Sequence, residues 1–299
     1  AVFATLFLVG CGDGIDLPGV NVETDLNKIP LPDNNVNLEQ VELKPSTEPM
    51  LHEGLHTEED FQRIRDKKAA GEEPWVSAYQ LLVESQFSQK TADTYPTEWI
   101  KRGVSGDENY MNAARGATIA YQQALRWKIE QDDEYAAKAV ENLNKWVQTC
   151  VGVTGNTNLS LAAGLYGYEF AIAGELLRDY GGWDRADFAA FQNWLLKVFY
   201  PANDDFLKRH HDTNALHYWA NWCLCNIAAK MAIGIVTDRR DIYNEGIAHL
   251  QTGDTNGRLR RAIYHDYAPD YNFAQWQESG RDQGHTLMCC LLYTSDAAD

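Results

Sequence analysis

The sequence predicts an all-α protein with one large domain at residues 52–289. Apolar residues recur at helical spacing from residue 56 to residue 250, and alternating strand patterns are nearly absent from this stretch. Short polar or glycine-containing loops separate the helical segments, which predicts antiparallel neighbours. Such a series of helices forms a bundle, a solenoid or a double-layered α/α toroid, and periodicity does not choose among the three. No repeat of fixed period is evident, which disfavours a regular solenoid.

The individual helices are predicted from start signals and periodicity. Thr57 forms a capping box with Asp60 at the start of the first helix, and Gly71 ends it. Further helices are predicted at residues 75–82, 111–130, 134–148, 159–179, 185–199, 215–236 and 239–250. The segment from 200 to 214 is assigned to no helix.

Composition limits the possible function classes. The chain carries 26 Lys and Arg against 43 Asp and Glu, a formal net charge of -17, so no nucleic-acid partner is expected. Residues 205–285 are nearly neutral, with nine Lys and Arg against ten Asp and Glu, and hold six of the eight histidines. Catalytic chemistry is therefore expected in this window. The six cysteines show no Cys-x-x-Cys and no disulfide framework, so no metal site is expected. No other cofactor is expected, and no protein partner is inferred.

The N-terminus resembles the cleavage region of a bacterial lipoprotein signal. Residues 1–9 are apolar but too short to span a bilayer, which takes roughly 20 residues, and they lead into Gly10-Cys11. We expect residues 1–11 to be the remnant of a signal that has lost its charged start, with Cys11 as the lipidated residue. Residues 12–51 are rich in Pro, Asn and Asp and are expected to form a flexible tether. The expected location is the periplasm or the outer-membrane surface, with contact to the membrane only through the lipid.

The last ten residues are expected to be a non-native tail. The string at residues 290–299 resembles a translated linker and interrupts a helix that is predicted to begin at Ser279. The natural protein is therefore expected to continue past about residue 289 with different residues.

The first polar constellation lies in the helix predicted at residues 215–236. Asn214, His217 and Asn221 stand at i, i+3 and i+7 and would share one face, while Trp219 would face the core. A polar stripe on a buried helix requires partners. It is either a hydrogen-bonded helix contact or the wall of a cleft.

The second constellation combines arginines with tyrosines. Arg258, Arg260 and Arg261 precede Tyr264 and Tyr267 by a few residues. A nearby positive charge favours the phenolate and lowers the pKa of a phenol, which would suit a tyrosine for proton transfer. The alternative is a solvated arginine face with tyrosines that pack.

The third constellation is the dense polar run from Gln275 to His285. Ser279 and Asp282 match a second capping box, which would place Arg281 and His285 one turn apart at the start of a helix. A helix N-terminus with Arg, His and Gln side chains nearby suits a carboxylate ligand. The alternative is a polar surface loop.

Four stretches resemble the alginate lyase family of polysaccharide lyases over roughly residues 52–289. They are His56–Phe61, Gly71–Trp75, His217–Trp222 and Gln275–His285. The last is the most specific, and the first two also resemble heparinase-like lyases. The resemblance implies an α/α toroid, incomplete in this chain and built of antiparallel helix pairs. It also implies β-elimination on a uronate polymer such as alginate or glucuronan.

The resemblance also implies roles for individual residues. Elimination requires neutralisation of the uronate carboxylate, a base for the proton on carbon 5 and an acid for the glycosidic oxygen on carbon 4. Asn214 and His217 correspond to the neutraliser and the base, and Tyr264 corresponds to the acid with Arg258 as its tuner. Arg261 and Tyr267 have the same spacing, so the second pair stays open. The expected substrate-binding residues are Asn221, Arg261, Gln275, Gln277, Arg281 and His285.

Two other functions remain open at this point. A glycoside hydrolase on the same fold needs two carboxylic acids that flank the bond, and the acidic residues in these motifs have no evident acidic partner. A surface lipoprotein could instead capture glycans with its Trp and Tyr side chains without cleaving them.

Overall fold

The structure, a computed structural model, describes residues 50–52, 54–266, 274–279, 281–282, 284–288 and 292. Its α-helices are α1 (Glu58–Ala69), α2 (Trp75–Glu84), α3 (Tyr110–Glu130), α4 (Asp133–Thr149), α5 (Leu159–Leu176), α6 (Arg185–Val198), α7 (Tyr200–Arg209), α8 (Ala220–Val236), α9 (Arg240–Thr252) and α10 (Leu259–Ala262). The strands are β1 (Trp99–Arg102), β2 (Gly152–Gly155), β3 (Ile263–Asp266) and β4 (Ala274–Trp276). The all-α prediction is confirmed for this part of the chain. Among these residues, no helix is both long and apolar enough to cross a membrane.

Helix α1 begins as the sequence predicts. The Thr57 side chain accepts from the Asp60 main chain, and the Asp60 carboxylate accepts from the Thr57 main chain, so both halves of the capping box form. Phe61 is buried one turn later and attaches the helix to the core.

Helices α3 and α5 run side by side in the same direction. Tyr110 at the start of α3 stacks on Tyr166 in α5, with ring centroids 6.5 Å apart. Further along, Thr118 Oγ1 donates to Glu169 Oε1 at 3.0 Å. Because position rises along both helices from the first contact to the second, the two helices are parallel.

Helices α5 and α8 are parallel as well. A Cβ at Gly164 would lie only 2.6 Å from Cys225 Sγ, so these helices approach closely near their amino ends. Near their carboxyl ends, Arg178 Nη2 donates to Val236 O at 2.9 Å. Helices α3, α5 and α8 thus form one parallel layer, which we call the inner layer.

Antiparallel helices cover the inner layer. The indole of Trp146, near the end of α4, occupies the space where a Cβ at Gly116, near the start of α3, would lie. In α9, Gly246 packs on Met231 of α8, while Tyr243 packs on the later Gly234. Helix α7 packs against α5 and α8. Helices α4, α7 and α9 therefore lie in an outer layer.

Helix α7 was missed by the sequence analysis. No helix is predicted between residues 200 and 214, but Pro201 stands in the first turn of α7, where a missing N–H costs nothing. The short helix α10 was not predicted either. Helices α1 to α6 and α9 agree with their predicted ranges to within a few residues, whereas α8 starts five residues later than predicted.

The described residues form two small sheets. The strands of the first precede α3 and α5, and the strands of the second follow α10. Strands β1 and β2 pair in parallel, with Arg102 opposite Gly155, and they lead towards α3 and α5 respectively. Strands β3 and β4 pair antiparallel, with an irregularity between Ile263 and His265.

Several expectations concern residues outside the described ranges. Cys11, the tether up to residue 49 and Tyr267 are among them. In the expected tail, Leu292 is described, and it is 4% exposed and part of the core cluster. The tail as a whole stays a prediction.

Candidate active site

The three polar constellations meet at the amino end of α8. Gln277 Oε1 accepts from Ala220 N at 2.8 Å, and Gln277 N donates to Ala262 O at 2.9 Å. On the other side, Asn256 Nδ2 donates to Leu216 O at 3.0 Å and to Tyr218 O at 2.8 Å. Segments that are far apart in sequence therefore form one continuous surface around the residues that precede α8.

The predicted helical face of Asn214, His217 and Asn221 is wrong. Asn214 Oδ1 accepts from Leu216 N at 2.8 Å, and this Asx turn competes with a helix for the same backbone groups. The helix begins only at Ala220, so Asn214 and His217 stand exposed in a loop while Asn221 is inside α8. Trp219 is 44% exposed and does not face the core.

Asn221 nevertheless combines burial with an amide oxygen that has no hydrogen-bond partner among the described residues. The residue is 3% exposed, and the oxygen in question is Oδ1. A buried amide oxygen that lacks a donor is costly, so such atoms concentrate where a ligand or water supplies the missing bond.

A strained turn precedes this loop. His210, His211 and Asp212 have φ values of 49°, 52° and 59°, a left-handed run that non-glycine residues rarely adopt. His211 Nε2 is hydrogen-bonded to Ser160 Oγ at 3.0 Å, at the amino end of α5. Burial lowers the pKa of His211, which favours the neutral ring.

His211 was not singled out by the sequence analysis beyond its place in the histidine-rich window. Its ring lies 5.7 Å from that of Tyr218, and Tyr218 lies 4.9 Å from the ring of His217. Only the adjacent pair His210-His211 could have signalled it, because the contact with Ser160 spans 51 positions of sequence.

The arginines of the second constellation bind main-chain carbonyls. Arg258 Nε donates to Gln251 O at 2.9 Å at the carboxyl end of α9, and Arg261 Nη1 donates to Asp254 O. No described contact joins Arg258 to Tyr264. Tyr264 is half-buried at the irregularity in β3, and such bulges re-aim side chains near active sites.

The third constellation also differs from its predicted geometry. Ser279 Oγ donates to Trp276 O at 2.6 Å, so Ser279 caps no helix. Asp282 takes that position instead, because its Oδ1 accepts from His285 N at 2.8 Å before a helical segment at residues 284–288. Arg281 therefore precedes the helix and pairs with the buried Glu278 at 3.2 Å.

Hydrogen bonds to His285 control the ionisation of Asp282. Burial raises the pKa of this carboxyl, but the bonds from the His285 main chain and ring outweigh burial and lower the pKa overall. The His285 Nδ1 atom lies 2.5 Å from Asp282 Oδ2, so this nitrogen is already hydrogen-bonded.

Gln275, another residue of the third constellation, lies on β4 opposite His265 and is half-buried.

Comparison with protein families gives a direct result. The family model described as "Alginate lyase" matches residues 64–262, which is most of the chain. The chain belongs to the alginate lyase family. Comparison with curated proteins gives no significant match.

Membership in the alginate lyase family indicates a polysaccharide lyase that acts on an anionic polysaccharide. The matched stretch includes Asn214, His217, Asn221, Arg258 and Arg261. It ends immediately before β3, so the remaining candidate residues lie beyond it.

The surface of this alginate lyase family member suits an anionic ligand. The inner layer is parallel, so the amino ends of α3, α5 and α8 lie at the same end of the layer as the loop at 213–219. Each amino end carries partial positive charge. Among the described residues, no group of three or more His, Cys, Asp or Glu could hold a metal ion.

A cavity of about 320 Å³ lies elsewhere, towards the carboxyl ends of α5 and α8. His56, Tyr168, Glu175, Met231 and Tyr243 are among its lining residues. None of the candidate site residues lines it, so we do not identify this cavity with the active site.

Proposed function

We propose that this protein is a polysaccharide lyase that cleaves a uronate polymer, either alginate or a glucuronan-like chain, by β-elimination. The product would carry a 4,5-unsaturated uronate at its new end. The observation that supports this proposal is the junction at Gln277, which joins the polar constellations around the amino end of α8 in a chain of the alginate lyase family.

We also propose that the two helix layers belong to an incomplete α/α toroid of antiparallel helix pairs. The parallel inner layer of α3, α5 and α8 and the antiparallel outer helices α4 and α9 support this arrangement. A toroid gathers the amino ends of its inner helices at one rim, where the candidate active site lies.

In the proposed reaction, His217 and Tyr264 divide the proton transfers. Asn214 neutralises the uronate carboxylate and makes the proton on carbon 5 acidic. His217 removes that proton, and the electron pair of the C–H bond forms the double bond between carbons 4 and 5. The bond from carbon 4 to the glycosidic oxygen breaks, and Tyr264 protonates that oxygen. The pair Arg261 and Tyr267 is the alternative to Arg258 and Tyr264.

The surroundings of these residues support such roles. His217 is exposed and could contact a substrate. Its ring lies edge-on to that of the buried Tyr218, and this contact would limit the movement of the His217 side chain. The proposed substrate-binding residues are Asn221, Arg261, Gln275, Gln277, Arg281 and His285. Gln277 Oε1 already accepts from α8, so its contribution to binding would come from the amide nitrogen.

A lipid anchor at Cys11 and a location in the periplasm or at the outer-membrane surface belong to the same proposal. Their support is the sequence Leu8-Val9-Gly10-Cys11. Metabolic labelling of the cells with a palmitate analogue tests the anchor, and Cys11→Ala should abolish the label.

Incubation with alginate, glucuronan, hyaluronan and heparin tests the reaction. A lyase product absorbs in the ultraviolet because its new double bond is conjugated with the carboxylate. New reducing ends without this absorbance would identify a glycoside hydrolase. Binding without cleavage of any of the four polymers would identify a glycan-capture protein.

A further inference from the structure

Arg102, the last residue of β1, is a buried cation that has no counterion among the described residues. It is 8% exposed, its guanidinium makes no hydrogen bond or ion pair with any described residue, and Nη1 is wholly buried. Arg126 is equally buried, but it is paired with Glu130 and with the Tyr135 hydroxyl. Burial of an unpaired charge is unfavourable, so the missing partner of Arg102 needs an explanation.

An aromatic stack holds the Arg102 guanidinium in place. Its central carbon lies 4.7 Å from the centroid of the Tyr110 ring, and Tyr110 stacks on Tyr166. Such a stack orients the planar group without using any of its N–H donors. The guanidinium is therefore preorganised to bind a ligand.

Arg102 is also tightly connected to the start of α5. A Cβ at Gly155, in β2, would lie 1.7 Å from Arg102 O, and a Cβ at Gly103 would lie 1.9 Å from Asn156 Oδ1. Gly103 has a φ of 81°, which favours glycine. The ends of β1 and β2 are thus locked together just before Leu159, where α5 begins.

The same surface continues to the proposed base. Ser160, in the first turn of α5, is hydrogen-bonded to His211, and the ring of His211 contacts Tyr218. Tyr218 in turn contacts His217. Arg102 therefore lies at the same end of the inner layer as the residues assigned to proton transfer.

We propose that Arg102 binds a carboxylate of the polysaccharide and selects uronates over neutral sugars. This inference rests on the proposed function in taking the substrate to be a uronate polymer. A carboxylate matches the fork of a guanidinium and would supply the acceptors and the negative charge that no described residue offers to Arg102.

Affinity measurements on the full chain test this proposal. The probes are an alginate oligosaccharide and the same oligosaccharide with its carboxylates reduced to alcohols, with Kd measured by calorimetry. We expect Arg102→Met to weaken binding of the acidic probe at least ~10-fold and to leave binding of the reduced probe unchanged. Arg102→Lys should be intermediate, because an ammonium retains the charge but not the fork.

Arg185→Met is the matched control. Arg185 is the exposed first residue of α6, which follows the carboxyl end of α5 and so lies at the opposite end of the inner layer. This variant removes one positive charge and should leave both Kd values unchanged. An equal effect of Arg185→Met and Arg102→Met would mean that only the net charge matters and would overturn the proposal.

Thermal unfolding separates ligand binding from a structural role. We expect Arg102→Met to keep or raise the Tm, because it removes a buried charge that no described residue pairs with. A lower Tm with equal loss of both probes would show a structural role. Unchanged selectivity, or no binding of the acidic probe by the wild type, would also overturn the inference. If the wild type binds this probe but forms no unsaturated product, the lyase proposal fails while the Kd comparison remains decisive for Arg102.

Discussion

Glu169 is a buried carboxyl at the contact between α3 and α5. Its Oε1 accepts from Thr118, its Oε2 has no partner among the described residues, and burial raises its pKa to about 8. The side chain is thus largely protonated at neutral pH. Ionisation of this buried carboxyl would therefore oppose folding.

This carboxyl should make stability fall as pH rises. Between the ordinary pKa of 4.5 and the folded value of about 8, the unfolded chain has lost the proton while the folded chain retains it. Each pH unit in this window then costs at most ~1.4 kcal/mol, and the loss ends above the folded pKa. Urea denaturation from pH 5 to pH 8 measures the slope, and Glu169→Gln should reduce it.

Glu141→Gln is the control for that slope. The side-chain bonds from Lys145 and Lys138 lower the pKa of Glu141, so this carboxylate is ionised in both states throughout the window. Its removal should leave the slope unchanged. A Glu169→Gln variant with the wild-type slope would show that Glu169 is ionised in the folded protein.

The proposed proton transfers give a second prediction. Tyr264→Phe removes only a hydroxyl, so packing should survive while turnover falls at least ~100-fold, and His217→Ala should cost a similar factor. The initial rate of unsaturated product formation measures both, at substrate saturation. Activity in Tyr264→Phe together with inactivity in Tyr267→Phe would assign the acid role to the second pair. Full activity in both would contradict a tyrosine acid.

At the scale of single residues, the sequence identified segments that the structure brings together, but it did not predict the contacts between them. His217 and Gln277 were chosen for residue type and spacing, and the structure brings their segments together. Arg102 was not noticed, because a single arginine in a short strand carries no signal until its burial is known. Whether a side chain such as Arg102 is buried depends on tertiary packing, which local sequence patterns do not encode.

The start of α8 depends on a distant residue. Trp219 offers no side-chain cap, and Gln277 accepts from Ala220 N in its place, 57 positions away. Local propensity extended the predicted helix to residue 215, since nothing nearby reveals this cap. By contrast, α1 has its cap within its own sequence and was predicted correctly at its first turn.

Removal of the cap on α8 should loosen the amino end of that helix. Gln277→Leu leaves Ala220 N without its acceptor, so we expect a loss of ~1 kcal/mol in the free energy of unfolding. Faster amide hydrogen exchange at Ala220 measures the local effect. Gln277→Glu keeps an acceptor oxygen and should retain the slow exchange. Equal exchange in the two variants would contradict a capping role.

At the scale of the whole molecule, the helical pattern predicted the class of fold, whereas an expectation for the arrangement of the layers came only from the family resemblance. Helical periodicity and short loops identify the helices and their antiparallel neighbours. The parallel inner layer depends on contacts between non-consecutive helices, such as that of Gly164 with Cys225. A glycine in a helical pattern does not reveal which other helix approaches it.

The close approach of α5 and α8 should support both stability and activity. A Cβ at Gly164 would lie 2.6 Å from Cys225 Sγ and 3.0 Å from its main-chain carbon. Alanine normally stabilises a helix relative to glycine. Here the contact includes backbone, so the clash should win and Gly164→Ala should lower the free energy of unfolding by ~1–3 kcal/mol.

The displaced helices should also disturb the site, because Ser160 holds His211 from the first turn of α5, while α8 carries Asn221. Turnover per folded molecule should therefore fall in Gly164→Ala, measured at a temperature well below its Tm. Gly181→Ala is the control, since a Cβ at Gly181 would meet nothing within 4 Å, and it should leave stability and turnover near the wild-type values. If Gly164→Ala were as stable and active as Gly181→Ala, the inner layer would not position the site.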